Sequence, residues 1–415
     1  MGRIVARPVV RLGGMSPSPG SVLVLAHVRD RAAVTVARAL RRHGWRVGAG
    51  TPRASGGFVG ASRAVSATHV VPRVRGTLEE FVRVVTAVVE AGGYDLVVGA
   101  GDDWMAALSH VADRLPVPVA APPPEVVERA LDKRGLTEDA HAVGLDAPRT
   151  WLPGEDADLA GVPLPVVVKS RTHWRPGTTR RHRVEAEVCG DLDALAGQLA
   201  RIRAHGDDPV LQVPVRGRLG ALVGVMHQGR LLGRVQQVAP RLWPTPHGAS
   251  ARAVTVPVDP ELARLSEELL RRIGWVGLVE LQFLTGKDGT PRLIDLNGRP
   301  FGSVALAEGA RPGLLDAWVR GALDRPVPPL PDGRVGVRYQ WLVGDLRRAR
   351  TERRGGLVRD VGDSLRWSVG ARHSLVRLDD PGPVAHLLTA RLRPDDPDPE
   401  TTAPADVVEV DALAS

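Results

Sequence analysis

Three apolar runs, VLVLA at 22–26, DLVVGAG at 95–101 and VPVA at 117–120, alternate with stretches of helical spacing in the first 120 residues. That alternation constrains this part of the chain to a parallel sheet with helices packed on its faces. Apolar residues from Ala32 to His43 recur at helical intervals before Gly44, Leu78 to Ala91 leads into the second run, and Trp104 to Leu115 leads into the third. Ligands of such sheets collect beyond the carboxyl ends of the strands, where Gly99, Gly101, Asp102 and Asp103 fall. A turn followed by a helix N-cap is the alternative reading of those four residues.

Organisation changes after the prolines at 122–124. The next stretch reads as a helix containing Asp132 and Lys133, a second short helix and an extended exit. PVVVKS is a strand, Arg171 to Arg183 a loop of Arg, His, Gly and Thr, residues 191–204 an amphipathic helix, and VLQVPV a further apolar strand. ALVGVMH and LLGRVQQV flank a turn at Gln228 to Arg230, and Glu261 to Ile273 is helical. Prolines at 326, 328, 329 and 331 mark a last boundary. The expected divisions are a loose, disordered leader at 1–20, an N-terminal α/β unit at 21–125, a small α/β unit at 126–212, a larger unit at 213–320, an accessory segment at 321–391 and a disordered acidic tail at 392–415.

Charge narrows the function. The chain carries 55 Lys+Arg against 47 Asp+Glu, but only three of the cations are lysines, Lys133, Lys169 and Lys287. Basic residues are scattered and lack interleaved aromatics for stacking bases, so no nucleic-acid partner is expected. The single cysteine, Cys189, excludes an internal disulfide and a thiolate zinc cluster, and reads as a small buried residue. No apolar stretch approaches the roughly 18 residues of a membrane span, so a cytoplasmic protein with no membrane partner is expected.

The most informative segment is the pair GLVELQFL and PRLIDLNGR, joined by the turn Thr285 to Thr290. Its glycines and aspartate suit a hairpin. Side chains alternate across a strand, so Glu280 and Gln282 share one face of the first strand and Asp295 and Asn297 one face of the second. Where register brings those faces together, two acids and two amides converge. Burying such carboxylates without partners is costly, and magnesium, a hard ion that takes oxygen ligands from one or two carboxylates plus substrate phosphates, relieves that cost. Arg299, just beyond, can hold a phosphate or acyl phosphate through its forked donors. A solvent-facing polar stripe is the competing reading.

DLNGR resembles the E-x-N-x-R signature that closes the ATP-grasp fold, with Asp in first position. The resemblance implies that Asp295 and Asn297 bind magnesium, with manganese as the alternative ion, and that Arg299 meets the γ-phosphate of ATP. It implies a third metal ligand at Gln282, with Glu280 competing. Asp132 and Lys133 match the pair that opens the nucleotide-binding region, and Lys169 the basic residue that contacts the α- and β-phosphates. The loop from 170 to 183 is placed like the one that closes over the triphosphate. Leu211, Gln212, Val213 and Pro214 match the hinge strand whose backbone recognises adenine. Two of only three lysines thus stand at the two phosphate positions.

The closest likeness is to the carboligase branch, the carboxylate-amine ligases related to carbamoyl-phosphate synthetase domains. PTPHGASAR is similar to its glycine-serine loop, which makes His247 and Arg252 candidates for contacts to the substrate carboxylate. RLDDPGPVAHLL is similar to an element that follows the catalytic core. The implied architecture is a Rossmann-like pre-ATP-grasp domain followed by an ATP-grasp fold of two α+β subdomains. The implied reaction joins a small carboxylate to an amine with release of ADP and phosphate, in a superfamily whose members often form homodimers. Arg299, Lys169 and Arg252 are its catalytic candidates. Three departures stand out. Arg216, Gly217 and Arg218 occupy the stretch where a ribose-binding Glu is usual, His247 replaces a glycine, and Asp295 replaces Glu. They leave open another nucleophile (thiol, bicarbonate or ammonia) and a non-catalytic ATP-binding regulatory protein.

Overall fold

The computed structural model describes residues 19–74, 77–154, 159–172, 174–177, 184–246 and 248–392. The leader, the acidic tail, His173, His182 and His247, and most of the basic end of the expected closing loop, lie outside those residues.

The N-terminal unit holds β1 (Ser21–Leu25), α1 (Arg31–Arg42), β2 (Arg46–Thr51), α2 (Gly57–Gly60), β3 (Ala67–Val70), α3 (Glu79–Gly92), β4 (Leu96–Gly99) and α4 (Asp102–His110). Its sheet is parallel in the order β3-β2-β1-β4. The continuous apolar run of β1 is explained by burial on both faces: Leu23 and Leu25 enter one core with α3 and α4, Val22 and Val24 another with α1. Asp30 caps α1 by accepting from the amides of Ala32 and Ala33.

Two sequence expectations need correction here. β2 and β3 were not expected from periodicity, because their glycines and polar residues dilute the apolar signal. The run VPVA is not a full strand and contributes one parallel bridge, Val119 to Val97.

Next come α5 (Pro124–Leu131) and α6 (Lys133–Ala142). Asp132 does not lie inside a helix as expected. Its carboxylate accepts from the amides of Arg134 and Gly135, so it is the N-cap that separates the two helices.

The small unit has a sheet in the order β5-β8-β6-β7, from β5 (Thr150–Trp151), β6 (Val166–Ser170), β7 (Glu187–Cys189) and β8 (Pro209–Gln212), with α7 (Leu192–Ala204) packed on it. Its core of Val166, Val168, Cys189, Leu195, Leu199, Ile202 and Leu211 is its own.

The large sheet runs β13-β12-β9-β10-β11-β14. Its members are β9 (Arg218–His227), β10 (Arg230–Trp243), β11 (Ala249–Val256), β12 (Gly277–Thr285), β13 (Pro291–Asn297) and β14 (Arg338–Gln340). Around it lie α8 (Pro260–Ile273), α9 (Val304–Ala310), α10 (Leu314–Ala322), α11 (Leu342–Glu352) and α12 (Leu357–Ser368), while α13 (Gly382–Leu392) packs on α2 of the N-terminal unit. Leu222 and Met226 of β9 join one N-terminal core, Val223 and Val225 the other, so the two units share their interiors. The segment past 320 supplies the edge strand β14 and returns to the N-terminal unit through Asp380, which is bound by Arg38, Ser62 and the amide of Arg63.

Candidate active site

The register of β12 and β13 pairs Glu280 with Asn297 and Gln282 with Asp295, so all four side chains share one face, as alternation required. Glu280 and Asn297 are buried, while Gln282 and Asp295 are partly open. The Glu280 carboxylate accepts from Asn297 Nδ2 at 2.9 Å, Gln282 Nε2 at 3.0 Å and, from β10, Gln237 Nε2 at 3.2 Å. Gln237 also donates to Ser303 Oγ at 2.8 Å. Burial pushes the Glu280 carboxyl up to about 7, against the pull of Arg299 and the amide donors.

Asp295 is the partner of Lys133, which is itself buried. Arg299 donates to Asp102 through Nε at 3.0 Å and Nη2 at 3.1 Å, which holds the guanidinium above its ordinary pKa despite desolvation. Asp102 thus does more than start a helix: it ties the carboxyl end of the parallel sheet to the end of β13. Gly298, between Asn297 and Arg299, is required by close approach, since a Cβ there would lie 2.0 Å from the Trp275 ring.

Lys169 of β6 donates to Gln212 Oε1 at 3.0 Å, and Gln212 donates to Thr150 at 2.7 Å. Asp132 is gripped by Arg171. Burial raises its carboxyl, but the hydrogen bonds from Arg171 and the helix amides outweigh that and hold it below the ordinary range. Within the expected adenine strand, Leu211 is buried mid-sheet between β5 and β6. The amide of Val213 donates to Arg149 O at 3.0 Å, and Pro214 has no N–H.

Arg252 is not on an open acceptor surface. It is 3% exposed and ion-paired with Asp345 and Asp363, each at 2.7 Å, and it donates to Ser364. The structure places it in the contact between β11 and the helices α11 and α12. Gln237 and Ser303 were missed in the sequence. Gln237 left one trace, a polar pair interrupting the apolar pattern of RVQQV, while Ser303 left none.

Among the described residues no group of three or more His, Cys, Asp or Glu converges. The face described above instead offers two carboxylates and amide oxygens, and Gln237 Oε1 is buried with no hydrogen-bond donor. That donor set fits magnesium completed by substrate phosphates better than it fits a fully protein-ligated ion.

No protein-family model matches this chain, and no curated protein matches it by sequence. Solved structures do. The L-amino acid ligase of Bacillus licheniformis superposes with a TM-score of 0.59 at 15% identity, over 76% of this chain and 78% of that one. The Campylobacter jejuni biotin carboxylase, solved with β,γ-ATP, gives 0.61 at 14% identity, over 77% and 74%. The biotin carboxylase domain dimer of Hydrogenobacter thermophilus 2-oxoglutarate carboxylase, solved with MgADP, ADP and bicarbonate, gives 0.58 at 15%, over 77% and 73%. The likeness shows the ATP-grasp fold preceded by a parallel N-terminal domain.

Proposed function

We propose that this chain is an ATP-dependent ligase that activates a substrate carboxylate as its acyl phosphate for attack by an amine. One observation carries the reading: in an ATP-grasp fold, the face of β12 and β13 gathers Glu280, Gln282, Asp295 and Asn297, with Arg299 at its end. Asp295 and Asn297, with Gln282 or Glu280, would hold magnesium, which neutralises phosphate charge and aligns the triphosphate.

Lys133, Lys169 and Arg299 hold the phosphates. A carboxylate oxygen attacks the γ-phosphorus in line and ADP leaves. The amine nitrogen then attacks the acyl carbon, the C–O bond to phosphate breaks, and one proton leaves the nitrogen. Asp102 fixes the Arg299 fork, and Gln212 fixes the Lys169 ammonium, so neither must reorganise during transfer. The backbone around Leu211, Gln212, Val213 and Pro214 forms the adenine wall, met through carbonyls, because its donors are engaged or missing.

A second reading, with bicarbonate as the acid activated, draws on the likeness to biotin carboxylases. We place the protein in the cytoplasm as a homodimer. None of the described helices is long and apolar enough to cross a membrane. The test is ADP release with MgATP over pooled amino acids, small carboxylic acids and bicarbonate, followed by mass analysis of the product. Carboxylate-dependent ADP release with an amide product is expected. ATP binding without turnover on any pool would overturn the reading in favour of a regulatory protein.

A further inference from the structure

A cavity of about 320 Å³ opens away from the candidate active site, between α1, the end of α9 and the segment that follows α12. Its charged lining is Arg38, Arg42, Arg372 and Arg377 against one acid, Glu308, with His373 beside them. Nearby carboxylates are already engaged. Glu308 accepts from the amides of Gly313 and Leu315, one per oxygen, at 3.1 Å each, at the start of α10. Asp380 is held by Arg38, and Asp379 by Arg377. Arg42 reaches Glu308 only at 3.7 Å.

Arg372 is the outlier. Its guanidinium has no hydrogen bond or ion pair among the described residues, and its stem lies against Gly309, where a Cβ would approach to 2.9 Å. The glycine of α9 thus seats an arginine that no described residue neutralises. Arg372 also lines a second cavity of about 360 Å³, together with Arg334 and Arg338. On the wall of the first cavity, Thr35 has a buried hydroxyl with no partner.

We propose that this cavity is a binding site for a small metabolite bearing at least two oxyanion groups, clamped by Arg42 and Arg372. The size of the cavity lies at the lower end of small-molecule sites, and forked guanidinium donors match phosphate or carboxylate oxygens in pairs. The site is separate from the nucleotide site in its residues: Ser303, just before α9, touches Gln237, whereas the cavity is lined from α9 by Ala305, Glu308 and Gly309 and by none of the residues assigned to the nucleotide. Since the ligand would bridge elements from three distant parts of the chain, binding stabilises the folded state.

The experiment is calorimetric and thermal titration of the full chain with sodium citrate and with inorganic pyrophosphate at constant ionic strength. The two probes separate polycarboxylate from phosphorylated ligands. Saturable binding of at least one probe is expected, weakened tenfold or more in Arg372→Ala and in Arg42→Gln and unchanged in Lys169→Ala. Arg372 is exposed and unpaired, so its substitution leaves the fold intact, and circular dichroism verifies that. Absence of saturable binding by both probes overturns the proposal. So does binding indifferent to Arg42 and Arg372, and so does binding lost in Lys169→Ala, which would assign it to the nucleotide site.

Discussion

Arg299 leaves the end of β13 to grip Asp102, the first residue of α4, through two parallel hydrogen bonds of 3.0 and 3.1 Å. The contact spans 197 residues of sequence and joins the carboxyl end of the N-terminal sheet to the face that carries Glu280 and Asp295. Both side chains are largely buried, at 20% and 13% exposure, so cutting the pair leaves a guanidinium short of solvent and partner. Asp102→Asn should cost about 2–3 kcal/mol, below the full figure for a buried pair because some water reaches it. Urea unfolding reads this as a lower midpoint at unchanged slope. The double variant Asp102→Asn, Arg299→Gln should be more stable than Asp102→Asn alone, since no charge is then stranded.

Lys169 is held by Gln212, which is itself held by Thr150, a relay that fixes an ammonium on β6, an interior strand of the small sheet. If it holds phosphate, Lys169→Ala should lower the rate of ADP formation about 100-fold or more, as loss of a preorganised charge does. Gln212→Ala should act more weakly and through nucleotide affinity. A steady-state comparison of kcat and KM for ATP distinguishes the two, and equal small effects on both would remove Lys169 from the phosphate site.

Much of the site was legible because hairpin alternation is local. Two residues apart on one strand means one face, which is enough to group Glu280 with Gln282 and Asp295 with Asn297. What alternation cannot supply is which distant groups complete the face. Gln237 comes from β10, three strands away from β13 in the sheet order, and Asp102 from another unit. The partners of Arg252 are hidden for the same reason. The sequence around it resembles an acceptor loop, whereas its acids, Asp345 and Asp363, lie 93 and 111 residues further on. Strands β2 and β3 were hidden because Gly48, Gly50 and His69 break the apolar runs on which periodicity relies.

Asp380 joins the C-terminal segment to the N-terminal unit, and its protonation should loosen that seam. Burial raises its carboxyl, but hydrogen bonds from Ser62, the Arg63 amide and Arg38 outweigh that and hold it below its ordinary value near 3.8. A depressed folded pKa means that the stabilisation is complete above the unfolded value and is lost as pH falls through the folded one. The stability gap between the wild type and Asp380→Asn should therefore be about 2–4 kcal/mol at neutral pH and narrow below about pH 4. Thermal unfolding from pH 7 to pH 3 measures it, and a gap independent of pH would contradict the ion-pair account.

Cys189 sits at the end of β7, fully buried in the core of the small unit. Burial pushes its thiol up to about 11, so little thiolate forms near neutrality and the native protein should resist alkylation. A thiol reagent at pH 8 should label less than a tenth of the native chain in the time that labels the urea-unfolded chain completely. Rapid native labelling would mean that the small unit opens far more readily than its packing implies.

Arg252 provides the sharpest contrast between a local pattern and tertiary structure. As a substrate contact, its loss should raise KM for the carboxylate and spare stability. The structure argues the reverse, for the guanidinium is enclosed by Asp345, Asp363 and Ser364 and stacks over Trp367 at 5.1 Å. Asp345, with no exposed surface of its own, would keep Arg348 and the Gln340 amide but lose its second cation. Arg252→Ala should therefore cost about 3–5 kcal/mol, the usual penalty for removing one member of a buried pair. Arg252→Lys should recover only part, because one ammonium cannot reproduce the two-sided fork. At a temperature where the variant remains folded, KM for the carboxylate should match the wild type. A selective rise in KM with unchanged unfolding would return Arg252 to the substrate site.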